Sequence, residues 1–233
     1  MDIHERKDEE YVDIHIERRR FIWISVLVLI GLLTLVVLTV NKIRDLAERV
    51  VTPEEYRHIP DVYDIQGYPA ASEKLFEEFL GRGDNRLRFA LLEKFLQFHR
   101  VDKVVPPYEL LRQGSDWLLV GEPPFAIPPM EQWGTMVDTL RVIQREIIPR
   151  IGPVVVLSGW RTPHYNGKAG GANASKHLHF CGVDLVPQHR FTRKQLLPIL
   201  RDIHKKSGKQ WNMGLGIYSG IRFHVDTCGY RRW

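Results

Sequence analysis

The sequence predicts an α+β fold: helices packed on a small antiparallel sheet, preceded by one N-terminal transmembrane helix. Three observations lead there. Residues 21–40 contain no charged side chain. Residues 131–148 repeat apolar side chains at helical spacing, whereas 153–157 form a nearly continuous apolar run of strand length. Residues 221–226 alternate apolar and polar, and Ser219-Gly220 before them is a turn dipeptide, so 215–226 reads as a hairpin.

The chain has 233 residues, 44% of them hydrophobic, and a net charge of +5. That is one domain of ordinary size plus extras. Residues 1–20 are polar, with seven acidic and five basic side chains, and are expected to form a short tail, cytoplasmic if the N-terminus lies inside. The rest of the chain is therefore basic. A basic exported domain suits an anionic cell wall or lipid surface. No basic cluster is interleaved with aromatics, which argues against nucleic acid.

Twenty apolar residues at 21–40 span about 30 Å as a helix, the thickness of a bilayer core. A signal peptide would have a shorter apolar stretch and small residues at its cleavage site, which Leu38-Thr39-Val40-Asn41 does not supply. An uncleaved anchor is expected. Arg18, Arg19 and Arg20 precede it, and Lys42, Arg44 and Arg49 follow, so the charge bias across it is slight.

Residues 41–127 read as a stalk followed by a helical region. Pro53 and Pro60 break any helix that continues past residue 51. Ser72 caps a helix ending at Leu80, before Gly81 and Gly83. A second helix, over 85–99, would place Leu87, Leu91, Leu92, Phe95 and Phe98 along a core-facing stripe. Residues 117–120 are expected as a short strand between proline pairs. The 131–148 helix should end at Pro149 and Gly152. Thr192 and Gln195 form a capping-box pattern for a helix to Ser207, stopped by Gly208, with Pro198 a local cost inside it.

The chemistry concentrates in two stretches. One runs Ser158-Gly-Trp-Arg161-Thr-Pro-His-Tyr-Asn166, Gly170-Gly-Ala-Asn-Ala-Ser175-Lys-His177, Gly182-Val-Asp184; the other runs Gly214-Leu-Gly-Ile-Tyr218, Phe223-His224-Val-Asp226. Two histidines and a carboxylate are nitrogen and oxygen ligands of the kind zinc takes, with a fourth position left for water. On one straight strand His177 and Asp184 would lie ~23 Å apart, so the chain must bend between them. Strand alternation puts Arg222, His224 and Asp226 on one polar face, with Ile221, Phe223 and Val225 on the other.

Over residues 128–233 this series of motifs resembles the M15 peptidases, zinc-dependent peptidoglycan D,D-peptidases, and in particular their murein endopeptidase branch. The resemblance implies zinc held by His177, Asp184 and His224. It implies a substrate-binding role for Arg161, with Ser175 beside it; Ser175 and Asn166 also read simply as loop hydrogen-bonders. The family usually has Gly where Phe180 stands and Ala where Gly182 stands. Many members carry an acidic base three residues before the last histidine, where this chain has Ile221. Asp226 is then the first substitute as catalytic base, and His179 the second; Asp226 could equally orient a histidine.

By the same resemblance the partner is peptidoglycan, and the protein is a single-pass protein of the bacterial cytoplasmic membrane, anchored by its N-terminal helix. Its N-terminus is placed inside because a wall-degrading domain must lie outside. Cys181 and Cys228 each follow a ligand histidine by four residues. An oxidising compartment allows a disulfide; otherwise they are small buried residues, or one is a metal ligand. Residues 53–127 match no peptidase motif and serve a protein partner or packing. Three functions stay open: a crosslink endopeptidase, a D,D-carboxypeptidase trimming terminal D-alanine, and an inactive zinc-containing wall-binding or scaffold domain.

Overall fold

A computed structural model describes residues 22–41 and 61–233. The expectations for the tail, for the basic residues flanking the apolar span and for the stalk up to Pro60 fall outside those residues. Helix α1, Ile22–Asn41, has 20 residues and a mean hydropathy of 2.8. It is long and apolar enough to cross a membrane or to act as a signal sequence.

The second unit begins with the hairpin β1 (Val62–Ile65) and β2 (Tyr68–Ala71), turned through Gln66 and Gly67, both at positive φ. Helix α2 (Glu73–Leu80) starts where the Ser72 side chain accepts from the Leu75 amide, as expected. Helix α3 (Asn85–Phe98) follows. Its core face is only in part the expected stripe: Leu92 is buried and Phe95 packs on Trp133, ring centroids 5.7 Å apart. Phe89, Leu92 and Leu96 are buried, while Leu87 and Phe98 are 64% and 82% exposed. Two apolar ridges run along this helix, and the one bearing Phe89 meets Phe76 of α2, ring centroids 4.8 Å apart. Only the ridge facing a partner is buried.

Residues 117–120 form a short helix, α4 (Trp117–Val120), rather than a strand. The Val120 amide bonds back to the Asp116 carbonyl, and Gly121 closes the turn at φ +67°. A left-handed glycine at that position completes a helical cap and does not extend a strand.

Helix α5 (Trp133–Val142) leads into a π-helical turn, Ile143–Ile147, and then α6 (Ile148–Ile151). Pro149 therefore does not end the run. It sits in the first turn of α6, where its missing N–H is not needed. The wider turn before it accommodates the ring. Gly152, at φ +78°, is the stop.

Next come β3 (Val154–Ser158), α7 (Pro163–Lys168), β4 (Gly182–Pro187), α8 (Arg193–Ser207), β5 (Gly214–Ile217), β6 (Phe223–Asp226) and β7 (Arg231–Arg232). The capping box of Thr192 and Gln195 opens α8 as its sequence indicates. The five strands form one sheet in the order β3-β4-β6-β5-β7, antiparallel except at the β5–β7 edge. With the helices around it, this is the mixed α+β fold the patterns indicate. One apolar core runs from Ala71 to Val225, so residues 61–127 pack into the same core as the sheet. Arg112 ties them together: it is buried, pairs with Glu109 at 3.2 Å, and donates to the carbonyls of Val156 on β3 and Ala71 on β2.

Candidate metal centre

The sheet register places the central residues side by side. Ser158 on β3 faces Asp184 on β4, Asp184 faces His224 on β6, and His224 faces Gly216 on β5. The expected alternation of β6 holds, with Phe223 and Val225 in the core and His224 and Asp226 on the other face.

His177 arrives from outside the sheet, on a 3-10 turn, Lys176–His179. The bend that the spacing requires occurs at Phe180, which takes a left-handed conformation at φ 49°. That conformation costs a non-glycine residue roughly 1–2 kcal/mol. The ring is fully buried, a gain on the order of 2–3 kcal/mol that offsets it. Gly182 has a different reason. A Cβ there would lie 2.5 Å from His224 Cε1, so only glycine leaves room for the ring. Cys181 and Cys228 are joined by a disulfide that links the ends of the paired strands β4 and β6, so neither cysteine is a metal ligand.

One ligand atom each from His177, Asp184 and His224 lie within 4.8 Å of one another, and all three side chains are buried. His177 Nδ1 is 2.7 Å from the Gly159 carbonyl. A carbonyl only accepts, so Nδ1 carries the proton and Nε2 presents a lone pair. Nε2 stands 3.4 Å from Asp184 Oδ1. Burial lowers the His177 pKa, keeping the ring neutral. A lone pair and a carboxylate oxygen thus face each other, an arrangement that a cation between them would relieve.

His224 is oriented the other way. Its Nε2 donates to Asp226 Oδ2 at 3.0 Å, and its Nδ1 is 3.0 Å from Asp184 Oδ1. Burial opposes charge on His224, but hydrogen bonds to Asp184 and Asp226 outweigh it and raise its pKa. Burial would likewise raise Asp184; its two histidine neighbours outweigh that and hold it well below the ordinary carboxylate value. Asp184 Oδ2 accepts from Arg161 at 3.0 Å, and Oδ1 from the Tyr218 hydroxyl at 3.1 Å. Burial, then the charge of Asp184, pushes the Tyr218 phenol far above its usual pKa, so it remains a donor.

Beside this cluster lies a cavity of about 510 Å³ whose wall includes Asp116, Arg161, Ser175, Tyr218 and Trp233. Of the sequence-derived site residues, His177, Asp184, His224, Arg161 and Ser175 all line it. Two do not. His179 is exposed on its turn and does not line the cavity. Asp226 is fully buried behind His224, and both its oxygens are engaged: Oδ1 by the Cys228 amide and Arg231, Oδ2 by His224 and Arg231.

Several contributors were not legible in the motifs. The Gln113 carbonyl accepts from Arg161 Nε and the Ser158 hydroxyl, and its side-chain oxygen accepts from the Thr162 amide and hydroxyl. Asp116 accepts a hydrogen bond from Tyr165 and reaches the cavity wall. Neither sits in a recognisable motif. Trp233 reaches the cavity wall as well; a Cβ at Gly216 would meet its ring at 2.6 Å, which explains the glycine opposite it.

Two histidines and a carboxylate on adjacent elements of a mixed sheet could together hold a metal ion. Residues 133–225 match the family model described as Peptidase M15, so this segment is similar to that family's domains. The match covers under half of the chain, and Gln113, Asp116, Asp226, Arg231 and Trp233 all lie outside it. No curated protein and no solved structure matches the chain significantly.

Proposed function

We propose that this protein is a zinc-dependent peptidase that hydrolyses peptide bonds of peptidoglycan, acting on crosslinks and held at the bacterial cytoplasmic membrane by residues 22–41 with its domain outside. The observation that carries the metal is the acceptor-to-acceptor approach of His177 Nε2 and Asp184 Oδ1. Two imidazole nitrogens and one carboxylate oxygen suit zinc with one position open. His177 through Nε2, His224 through Nδ1 and Asp184 would hold it. When bound, zinc activates a water and polarises the scissile carbonyl.

The chain's own residues supply the rest. The Gly159 carbonyl and Asp226 fix the two imidazoles by their outer nitrogens. Asp226 therefore acts through His224, as a positioning residue, rather than by taking a proton itself. Arg161 and Tyr218 both donate to Asp184; Arg161 stands in the cavity wall with Nη1 uncommitted among the described residues, where it can donate to charge developing on a substrate oxygen. Among the described residues, Asp116 is the one carboxylate lining the cavity besides Asp184, and we assign it the proton transfer.

The test is digestion of purified sacculi by the full chain, with zinc and with chelator, read by mass spectrometry. Metal-dependent loss of crosslinked dimers, abolished in His177→Ala, supports the endopeptidase. Loss of a terminal alanine alone moves the reading to a carboxypeptidase. Stoichiometric zinc without any cleavage leaves a wall-binding domain. Asp116→Asn should lower kcat about a hundredfold with zinc content unchanged; full activity in that variant removes the assignment.

A further inference from the structure

Arg222 is a cation without an anion. It stands just ahead of β6, two residues before His224, and both line the cavity. Its guanidinium carbon lies 4.4 Å from the Tyr218 ring centroid and 5.8 Å from that of Tyr68. The two rings hold the guanidinium by cation–π contact. Tyr68 belongs to the β1–β2 hairpin, outside the family match.

The other arginines of the wall already pair with protein carboxylates. Arg161 pairs with Asp184 and donates to Gln113 and Ser158. Arg231 holds Asp226 with both terminal nitrogens. Among the described residues, no acceptor meets the Arg222 side chain, and its Nε is buried without a hydrogen-bond partner. Lys176, also in the wall, has no ion pair among them either. The Arg222 terminal nitrogens likewise meet no acceptor among the described residues, and a ligand in the cavity can supply one.

We infer that Arg222, with Lys176, is a binding site for a free carboxylate on the peptide substrate, separate from the contacts of Arg161. This rests on the reading of the cavity as a peptide site. A planar guanidinium takes a carboxylate by two parallel hydrogen bonds, and the flanking rings preset its plane. The site would make the protein selective for stem peptides whose carboxylate is free over those in which it is a carboxamide.

The experiment uses the zinc-loaded full chain in detergent micelles and synthetic stem peptides in which each carboxylate in turn is replaced by a carboxamide. Binding is read by calorimetry. One replacement should weaken binding about tenfold or more, the loss of a charge-assisted pair. That sensitivity should vanish in Arg222→Gln, which keeps a planar polar end, and survive in part in Arg222→Lys. Wild-type protein indifferent to every replacement overturns the inference, as does unchanged sensitivity in Arg222→Gln. Cleavage of the same peptides is measured in parallel. Carboxylate-dependent binding without metal-dependent cleavage removes the peptidase reading and supports the site; cleavage without carboxylate dependence does the reverse.

Discussion

Asp226 Oδ2 lies 3.0 Å from His224 Nε2, on the side of the ring turned away from Asp184, and Arg231 clasps the same carboxylate from the outer face. The pair fixes which nitrogen of His224 is left for a metal. Removing an orienting partner of this kind typically costs 10–100-fold in metal affinity. Asp226→Asn and Arg231→Ala are therefore both expected to weaken zinc binding by about that factor, measured by competition with a chromophoric chelator. Activity should return at saturating zinc. An Asp226→Asn protein that binds zinc normally yet stays inactive would instead make Asp226 the proton acceptor.

Zinc uptake should depend on pH through His224. Its pKa is raised above the ordinary histidine value, so below that pKa Nδ1 carries a proton that the metal must displace. The proton favours the metal-free form, hence affinity falls as pH drops through the raised pKa, by about tenfold per unit. Titrations between about pH 5 and 8 cover the range. In Asp226→Asn one of the raising hydrogen bonds is weakened, and the fall should move to lower pH. A flat affinity across the range would contradict the assignment.

The Cys181–Cys228 disulfide closes a loop with a sequence separation of 47. Loop-closure entropy puts its contribution at about 4 kcal/mol. The Cys181→Ser/Cys228→Ser double variant should lose most of that in urea unfolding, and reduced wild-type protein should match it. Equal midpoints for oxidised and reduced wild type would show that the bond does not constrain the unfolded chain.

Arg112 and Glu109 are both buried, and Arg112→Ala leaves the Glu109 carboxylate without its ion pair. Breaking a buried pair this way costs about 3–5 kcal/mol. The exposed pair Arg86–Glu77, at 3.0 Å, is the control, and Arg86→Ala should change stability by less than about 1 kcal/mol. Since Arg112 also holds the carbonyls of Ala71 and Val156, its loss should loosen β2 from β3. Equal effects of the two substitutions would show that Arg112 does not anchor residues 61–127.

Much of the site was readable from periodicity and turn chemistry. Alternation put His224 and Asp226 on one face, and the capping residues Ser72 and Thr192 marked helix starts correctly. The stripe on α3 was read only in part, Leu92 and Phe95 facing the core but Leu87 and Phe98 not, because its apolar ridges satisfy the same helical period and contacts with Phe76 and Trp133 select between them. Pro149 was misread because the π turn just before α6 accommodates its ring. Residues 117–120 were misread because four apolar-rich positions carry no period of their own, and Gly121 decided the turn.

The sequence by itself determined the helix-length apolar span and the mixed α+β pattern, and it singled out His177, Asp184 and His224, which the fold brings together. Those are local properties: hydropathy, period, and residue type in an ordered series of motifs. Only the tertiary structure decided that Asp226 stands behind His224 rather than in the cavity, that His179 is left outside, and that Gln113, Asp116 and Tyr68 reach the site from a region without motifs. The reason is physical. Strand register and the packing of residues 61–127 against β3 fix these neighbours across separations of tens of residues, and no local pattern encodes a contact of that range.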